Sequence, residues 1–305
     1  MASPIKYIWM NGELVPPEKA VVSFLNPTLH YGPGAFEGIR CYDTDRGPAI
    51  FRLKEHTERL IGSYKVLGGR ELPYTFDEIY EATKEVVRAN GFKECYIRPL
   101  IYFTDSMGLT LDAYKTALGI AAWEWGNFLG AEGIEKGVRA KISSYTRHHI
   151  NVSMTKAKIP GNYVNSILAK AESTRMGFEE AIMLDPQGYV AECTGENIFY
   201  VRKGMIYTPP LATVLEGITR DTLLAVAGSL GYIVVEEPVG RDQLYLADEV
   251  FVCGTAAEVI AIREIDFRII GDGKMGPVTR ALQQAYFDVV HGKHALSDGW
   301  CDYLS

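Results

Sequence analysis

The chain has 305 residues, of which 47% are hydrophobic and 23% charged, the composition of an ordinary folded protein. Its formal net charge of −7 argues against nucleic acid as the main partner, because phosphate backbones are bound by clusters of Lys and Arg. Charges interrupt the first twenty residues, so no signal peptide is predicted, and no run is apolar and long enough to cross a membrane. The five cysteines form no C-x-x-C pair, which is typical of a reducing compartment. These features together predict a cytoplasmic protein.

The first 125 residues alternate predicted strands and helices. The pair Asn11-Gly12 is the signature of a tight hairpin turn. Apolar residues at helical spacing indicate two helices, and short apolar runs indicate buried strands. The predicted elements are strands over 6–10, 96–103 and 115–123 and helices over 53–67 and 76–91.

A change in composition marks a second part of the chain. Residues 126–137 contain four glycines, which predicts a connecting loop between an N-terminal α/β domain over 1–125 and a C-terminal domain over 138–305. The fold class is therefore α+β, a mixed α/β chain in two domains. The predicted elements of the second part are strands over 138–145, 181–184, 189–191, 197–201 and 249–253 and helices that begin near Tyr163, Ile218 and Pro277.

Five segments, three centred on a side chain and two on a turn, could supply an amine, an acid and an anion cradle. Lys158 precedes a predicted helix, where the positive end of the helix dipole would favour its uncharged form, although most lysines are solvated surface charges. Glu192 ends a short strand among apolar neighbours, where a lone carboxylate would be costly, or it is a surface residue of a hairpin. Arg59 could bind a phosphate or pair with Glu55 one turn away.

Two turns could bind an anion through main-chain amides. One is Gly217-Ile218-Thr219 at a predicted helix start, and the other is the small-residue turn Gly254-Thr255 after a strand. An ordinary helix cap is the alternative for each.

The segment 271–276, GDGKMG, fits the G-x-G-x-x-G pattern of dinucleotide-binding sites. The pattern also needs a later parallel strand and an acid about twenty residues on, and only a short polar tail follows the predicted helix. We interpret the segment as a tight turn, with an NAD-dependent oxidoreductase as the alternative from another functional class. His148 and His149 are adjacent and lack a ligand cluster, so no metal site is predicted.

Nine segments in order resemble the branched-chain amino-acid aminotransferases, class IV aminotransferases of pyridoxal-phosphate (PLP) fold type IV. They cover nearly the whole chain, and the C-terminal domain of that fold has a β-barrel-like core. The segments are YIWMNG at 7–12, LHYG at 29–32, FEGIRCY at 36–42, YIRPL at 96–100, AK at 157–158 with GNY at 161–163, ECTGENI at 192–198, LEGITRD at 215–221, LADEV at 246–250 and GTAAE at 254–258.

The resemblance implies a ping-pong transamination between leucine, isoleucine or valine and 2-oxoglutarate, through an imine of PLP with Lys158. Glu192 would contact the pyridine nitrogen and Tyr163 the ring hydroxyl. The implied phosphate-binding residues are Arg59, Ile218, Thr219 and Thr255. The implied substrate-binding residues are Tyr31, Phe36, Arg40, Tyr96, Arg98, Trp125, Thr255 and Ala256, with Arg40 and Arg98 toward the glutamate γ-carboxylate and Tyr31 lent by a second subunit.

The sequence departs from the family pattern near the expected substrate pocket. Glu124 replaces a proline, and Phe128 stands where relatives commonly have a tyrosine. These changes leave open a D-amino-acid or (R)-amine transaminase on the same scaffold. The resemblance also implies a homodimer or a larger homo-oligomer, because family sites borrow residues across the subunit interface.

Overall fold

A computed structural model describes residues 3–69, 71–126 and 131–304 and divides the chain into two compact units. The first unit comprises Met1–Trp125, Lys156–Asn162 and Val289–Ser305. The second comprises Gly126–Thr155 and Tyr163–Asp288. Both units mix helices and strands, so the predicted mixed α/β fold class is confirmed.

The first unit contains one antiparallel sheet and the helices that pack on it. Its elements in the first part of the chain are β1 (Ile8–Met10), β2 (Glu13–Val15), α1 (Pro27–Tyr31), β3 (Gly34–Phe36), β4 (Ile39–Tyr42), β5 (Ala49–Phe51), α2 (Leu53–Val66), α3 (Phe76–Asn90), β6 (Cys95–Thr104) and β7 (Lys115–Trp123).

The second unit contains a second, mixed sheet. Its elements are α4 (Ala131–Lys136), β8 (Val138–Ile142), α5 (Tyr163–Arg175), β9 (Glu180–Leu184), β10 (Val190–Cys193), β11 (Asn197–Arg202), β12 (Met205–Thr208), α6 (Ile218–Ser229), β13 (Val234–Glu236), α7 (Arg241–Tyr245), β14 (Glu249–Gly254), β15 (Glu258–Ile265) and β16 (Arg268–Ile269). The chain continues through α8 (Pro277–Val290) and ends with β17 (Cys301–Tyr303).

The sheet of the first unit has the order β17-β5-β4-β6-β7-β1-β2, with β3 also paired to β6. The β1–β2 hairpin turns at Asn11 and Gly12, whose positive φ angles of 51° and 104° suit the predicted turn. Thr75 and Glu78 form a capping box at the start of α3, and Gly91 ends that helix in the left-handed conformation. Apolar residues of α2, α3 and the sheet share one core.

The sheet of the second unit has the order β10-β9-β8-β15-β14-β11-β12-β13, with β16 on β15. One of the two sheets of the chain is a half-barrel. Parallel pairs join β8 to β9 and to β15, whereas β9–β10 and the run from β15 to β12 are antiparallel. Strands β10 and β14 are buried along their whole length apart from Gly254. This sheet therefore offers buried positions on which a polar site can be built.

Most predicted elements are present, with two differences in the segment 126–145. The strand predicted over 138–145 ends at Ile142, and part of the segment predicted as a loop forms α4. Within the described ranges, no helix is both long and apolar enough to span a membrane.

The dinucleotide alternative for 271–276 is wrong. The segment follows the antiparallel β15–β16 pair, and the strand after α8 is β17, which pairs antiparallel with β5 in the other sheet. A dinucleotide site needs a parallel βαβ unit at this position. Gly271 and Gly273 have positive φ angles, as the predicted tight turn requires.

Candidate active site

Lys158 is fixed through its main chain within the first unit. Its amide donates to Ser63 Oγ at 3.0 Å, and its carbonyl accepts from the amide of Phe36 at 3.0 Å. Gly161, three residues on, donates its amide to the Gly32 carbonyl at 3.1 Å. A side chain on Gly32 would meet the Gly161 Cα at 2.9 Å, so this approach needs glycine. The Lys158 amine lies 4.8 Å from the centre of the Phe36 ring.

A buried carboxylate fixes Arg59 in the same unit. Glu37 is fully buried, and its two oxygens accept from Arg59 Nε at 2.6 Å and Arg59 Nη2 at 2.9 Å. His56 Nδ1 lies 2.7 Å from the same carboxylate. Glu55, the alternative partner of Arg59, pairs with Arg52 at 2.8 Å. The guanidinium plane of Arg59 is therefore set by a residue that is distant in sequence.

The charge of the Glu37 carboxylate follows from these partners. Burial alone would raise its pKa, but the charges of Arg59 and of His56 when protonated, with their hydrogen bonds, hold the pKa well below its ordinary value of 4.5. Burial lowers the pKa of His56, and Lys158 and Arg59 add to that effect while Glu37 opposes it. We assign an ionised Glu37 that accepts a hydrogen bond from a neutral His56.

Three aromatic side chains and one guanidinium form an amphipathic group near Lys158. Arg98 stacks 4.8 Å from the Phe36 ring centre, and its Nη2 donates to Tyr96 Oη at 3.0 Å. Trp125 packs edge-on against Tyr96 with ring centres 4.7 Å apart. Gly38 is required beside them, because a Cβ there would lie 1.9 Å from Tyr96 Oη. Such a group can accept both an apolar and an anionic substituent.

The other first-unit candidates have different surroundings. Arg40 is buried on β4 and pairs in register with Tyr96 of β6. Tyr31 ends α1 and is half exposed, with its ring 6.1 Å from that of His30. The carboxylate of Glu124 is exposed and accepts two hydrogen bonds from Ser3. Phe128 lies outside the described residues.

Glu192 of the second unit is a buried carboxylate with three hydrogen-bond donors. Its side chain is only 7% exposed. Arg147 Nε donates to Oε1 at 2.8 Å, and Asn197 Nδ2 and the amide of Leu215 donate to Oε2 at 3.3 and 3.2 Å. These donors compensate for burial and fix the direction of the carboxylate.

A helix start and a strand turn of the second unit carry the predicted anion-binding residues. Gly217 precedes α6 and has no side chain with which to cap its first turn, which includes Ile218 and Thr219. Such a helix start presents main-chain amides and the positive end of the helix dipole. Thr255 and Ala256 form the turn between β14 and β15, whose register closes at Gly254 and Glu258. Tyr163 is the first residue of α5.

Sequence reasoning missed the residues that hold these groups in place. Glu37, His56, Arg147 and Asn197 were not selected. Glu37, Arg147 and Asn197 each contact a selected residue, and His56 contacts Glu37. Glu37 lies inside the FEGIRCY segment, directly after the selected Phe36, so the sequence could have indicated it as a further site residue. Arg147 had no such signal, because its partner lies 45 positions further along the chain.

Comparison with known proteins gives a consistent picture. The family model described as "Amino-transferase class IV" matches residues 34–265. The branched-chain-amino-acid aminotransferase of Pseudomonas aeruginosa (strain PAO1) is 50% identical over 301 residues, which is 98% of each chain.

Two solved structures are also similar over 99% of each chain, both with 49% identity. One is the branched-chain amino acid aminotransferase of T.th. with pyridoxamine 5'-phosphate, with a TM-score of 0.96. The other is the same enzyme complexed with N-(5'-phosphopyridoxyl)-L-glutamate, with a TM-score of 0.94.

Proposed function

The chain belongs to the class IV aminotransferases, and from that premise we propose that it transfers the amino group between branched-chain L-amino acids and 2-oxoglutarate with pyridoxal phosphate. The fold is fold type IV. We assign residues to the cofactor and to the substrate by their chemistry and by their position in the family motifs.

The donor set of this chain fits pyridoxal phosphate. The cofactor has an aldehyde, a pyridine nitrogen and a phosphate, which call for an amine, a buried acid and an anion cradle. Lys158 is the amine, and Glu192 is an acid whose burial is already compensated by three donors. The first turn of α6, which follows Gly217, presents main-chain amides of the kind that bind a phosphate.

We assign the cofactor contacts accordingly. Lys158 binds the aldehyde, Glu192 pairs with the pyridine nitrogen and Tyr163 hydrogen-bonds the ring hydroxyl. When bound, pyridoxal phosphate supplies an aldehyde that takes up the amino group and a ring that accepts electrons. The phosphate is held by Arg59, Ile218, Thr219 and Thr255.

Arg98 carries the assignment of substrate class. Its guanidinium stacks on Phe36, and its buried Nε has no hydrogen-bond partner among the described residues. A buried donor without a partner is costly, and the γ-carboxylate of glutamate would satisfy it. The rings of Phe36, Tyr96 and Trp125 suit the aliphatic side chains of leucine, isoleucine and valine.

The remaining substrate contacts complete the proposal. The main-chain amides of Thr255 and Ala256, with Tyr96, bind the α-carboxylate, and Arg40 assists Arg98. The Lys158 amine, once displaced by the substrate amine, moves the proton at the substrate Cα as general acid and base. Leucine and glutamate would use these contacts in turn, as ping-pong exchange requires.

We also propose a homodimer located in the cytoplasm. Residues 21–31 expose Val21, Phe24, Leu25, Leu29 and Tyr31, an apolar run of the kind that marks a protein interface. Tyr31 would then contribute to the substrate pocket of the second subunit.

A two-variant experiment tests the function. Purified protein is mixed with L-leucine and 2-oxoglutarate, and glutamate formation is measured; borohydride treatment is followed by peptide mapping of the pyridoxyl group. We expect turnover and a pyridoxyl group on Lys158, and Lys158→Ala to lose both while the neighbouring Lys156→Ala retains both. Turnover by Lys158→Ala, or a preference for D-amino acids or (R)-amines, would contradict the proposal.

A further inference from the structure

We propose that Arg147 is a positioning residue that acts through Glu192 and keeps the proton on the ring nitrogen of the cofactor rather than on the carboxyl group. The inference rests on the proposed function and extends it by one residue.

Arg147 supplies a positive charge to a carboxylate that has little access to water. Burying an unpaired carboxylate costs several kcal/mol, and neutral donors offset only part of that cost. Asn197 and the Leu215 amide are neutral donors, whereas Arg147 is always charged. The charged form of Glu192 therefore depends on Arg147 more than on its other donors.

The position of Arg147 is fixed at both ends. Its amide donates to the carbonyl of Leu184, the last residue of β9, at 2.8 Å, and its side chain reaches Glu192 on the adjacent strand β10. The residue is 9% exposed. A side chain with its main chain bound and its head group paired has few alternative rotamers, so it holds the carboxylate in one direction.

His148 leaves the charge of Arg147 available to Glu192. Arg147 Nη1 lies 3.1 Å from His148 Nδ1, and a guanidinium can only donate, so that nitrogen accepts and the ring is neutral. Burial and the Arg147 charge lower the pKa of His148 to about 4, with a smaller opposing effect from Asn165. At neutral pH the guanidinium thus has a neutral neighbour on one edge and a carboxylate on the other.

The consequence concerns where one proton resides. Between a carboxylate and a pyridine nitrogen the proton binds the stronger base, and a carboxylate paired with a guanidinium is a weaker base than a lone buried one. Without Arg147 the proton would move from the ring nitrogen to a Glu192 oxygen. The cofactor would then lose its ring charge, and with it part of its capacity to accept electrons.

The test reads the ring nitrogen directly. The apoprotein is loaded with pyridoxal phosphate that carries ¹⁵N in the ring, and the ¹⁵N chemical shift and the cofactor dissociation constant are measured at pH 7. In Arg147→Met we expect the shift to move toward that of neutral pyridine and the affinity to fall about 10- to 100-fold, the range for a lost hydrogen bond to a charged group. Arg147→Lys, which keeps the charge, should retain a shift near that of the wild type.

Two further variants separate this role from a general loss of structure. Arg139→Met removes another Arg–Glu pair of the second unit, formed with Glu179 at 2.6 Å, and should leave the ring nitrogen unchanged. In a Glu192→Gln background, Arg147→Met should produce no additional change of the shift. Circular dichroism of each apoprotein reports whether it is folded.

The outcomes also separate the two proposals. A holoenzyme in which Arg147→Met keeps the wild-type shift and affinity would overturn the role of Arg147 and leave the proposed function intact. An effect of Arg147→Met that adds fully to that of Glu192→Gln would likewise show that Arg147 does not act through Glu192. A wild-type protein that bound no pyridoxal phosphate would overturn the proposed function and this inference with it.

Discussion

Glu37 pairs a fully buried negative charge with the arginine assigned to the cofactor phosphate. The carboxylate binds Arg59 through two nitrogens and approaches His56 at 2.7 Å. Because Arg59 has two of its nitrogens engaged on one side, its plane is set by the protein itself. Loss of Glu37 would leave the arginine without its buried counter-charge.

We predict that Glu37→Gln lowers the free energy of unfolding of the apoprotein by about 3 kcal/mol at pH 7, because breaking a buried ion pair leaves one charge uncompensated. Urea unfolding followed by circular dichroism measures the change. The matched control is Glu81→Gln, which removes an exposed carboxylate 3.2 Å from Lys84 and should cost less than about 1 kcal/mol. Equal losses in the two variants would mean that burial does not strengthen the Glu37 pair.

The sign of the pH dependence follows from the lowered pKa of Glu37. Its folded pKa lies below the ordinary value of 4.5, so its contribution is complete above that value and is lost as the pH falls toward the folded pKa. The difference in the free energy of unfolding between the wild type and Glu37→Gln should therefore become smaller below about pH 4.5. A difference that stayed constant from pH 7 to pH 3.5 would contradict this assignment.

Candidate site residues could be selected from the sequence only where a local pattern or a family segment pointed to them. Lys158 was selected by its place before a predicted helix and Glu192 by its place at the end of a predicted strand. The family segments then favoured both over ordinary surface residues, and their roles remain proposals. Arg147 and Asn197 were missed because a side-chain contact between distant positions has no period in the sequence. Such partners are visible only after the strands have been placed.

Elements with a local signal were predicted well. The helices α2, α3 and α6 have apolar residues at helical spacing, and the β1–β2 turn has Asn-Gly, so each depends on neighbouring residues alone. The short strands β3 and β17 gave no such signal. Each has three residues and is defined by pairing with a distant strand, β6 and β5 respectively.

The glycine before helix α6 is explained by the space that a neighbouring side chain needs and not by its backbone conformation. Gly217 has φ −71° and ψ 126°, values open to any residue, so strain does not explain it. A Cβ at this position would lie 1.9 Å from Asn197 Oδ1, and Asn197 donates to Glu192. The start of the helix and the buried carboxylate are thereby coupled through packing.

We predict that Gly217→Ala lowers the free energy of unfolding by about 1 to 3 kcal/mol, the usual cost of overpacking, because Asn197 must move. Gly228→Ala is the matched control in the same helix: a Cβ there meets nothing within 4 Å, and alanine should be neutral or stabilise by up to about 1 kcal/mol. Urea unfolding of both variants measures the difference. If Gly217→Ala matched its control, the contact with Asn197 would not constrain the helix start.

At the scale of the whole molecule, the compact units do not follow the chain in two blocks. Lys156–Asn162 and Val289–Ser305 group with the first 125 residues. The hydrogen bond from the Phe36 amide to the Lys158 carbonyl and the β17–β5 pair provide such contacts. A change of composition can indicate where the chain leaves the first unit. It does not indicate that a later segment packs with that unit again. The domain limits drawn from composition therefore stay a prediction.

The apolar run at 21–31 supports a specific expectation for the assembly. Phe24 is 74% exposed, and its carbonyl contacts His30 Nε2 at 2.9 Å, so the segment is folded on itself while its apolar side chains face outward. Leaving several large apolar side chains in water costs about 25 cal/mol per Å² of apolar surface. A second copy of the chain would remove that surface from water and bring Tyr31 to its partner's pocket.

We predict that the wild-type protein sediments at least as a dimer and that Phe24→Asp shifts it toward the monomer, since a charge buried in an apolar interface is strongly unfavourable. Sedimentation velocity across a dilution series measures the shift. Phe267→Asp is the matched control, because Phe267 is equally exposed at 74% but lies in the β15–β16 turn, where aspartate tolerates the positive φ of 62°. A monomeric wild type, or a Phe24→Asp variant that dimerises as tightly as Phe267→Asp, would exclude this segment as the interface.

Loss of leucine turnover in step with dissociation would in addition support a contribution of Tyr31 to the partner's site.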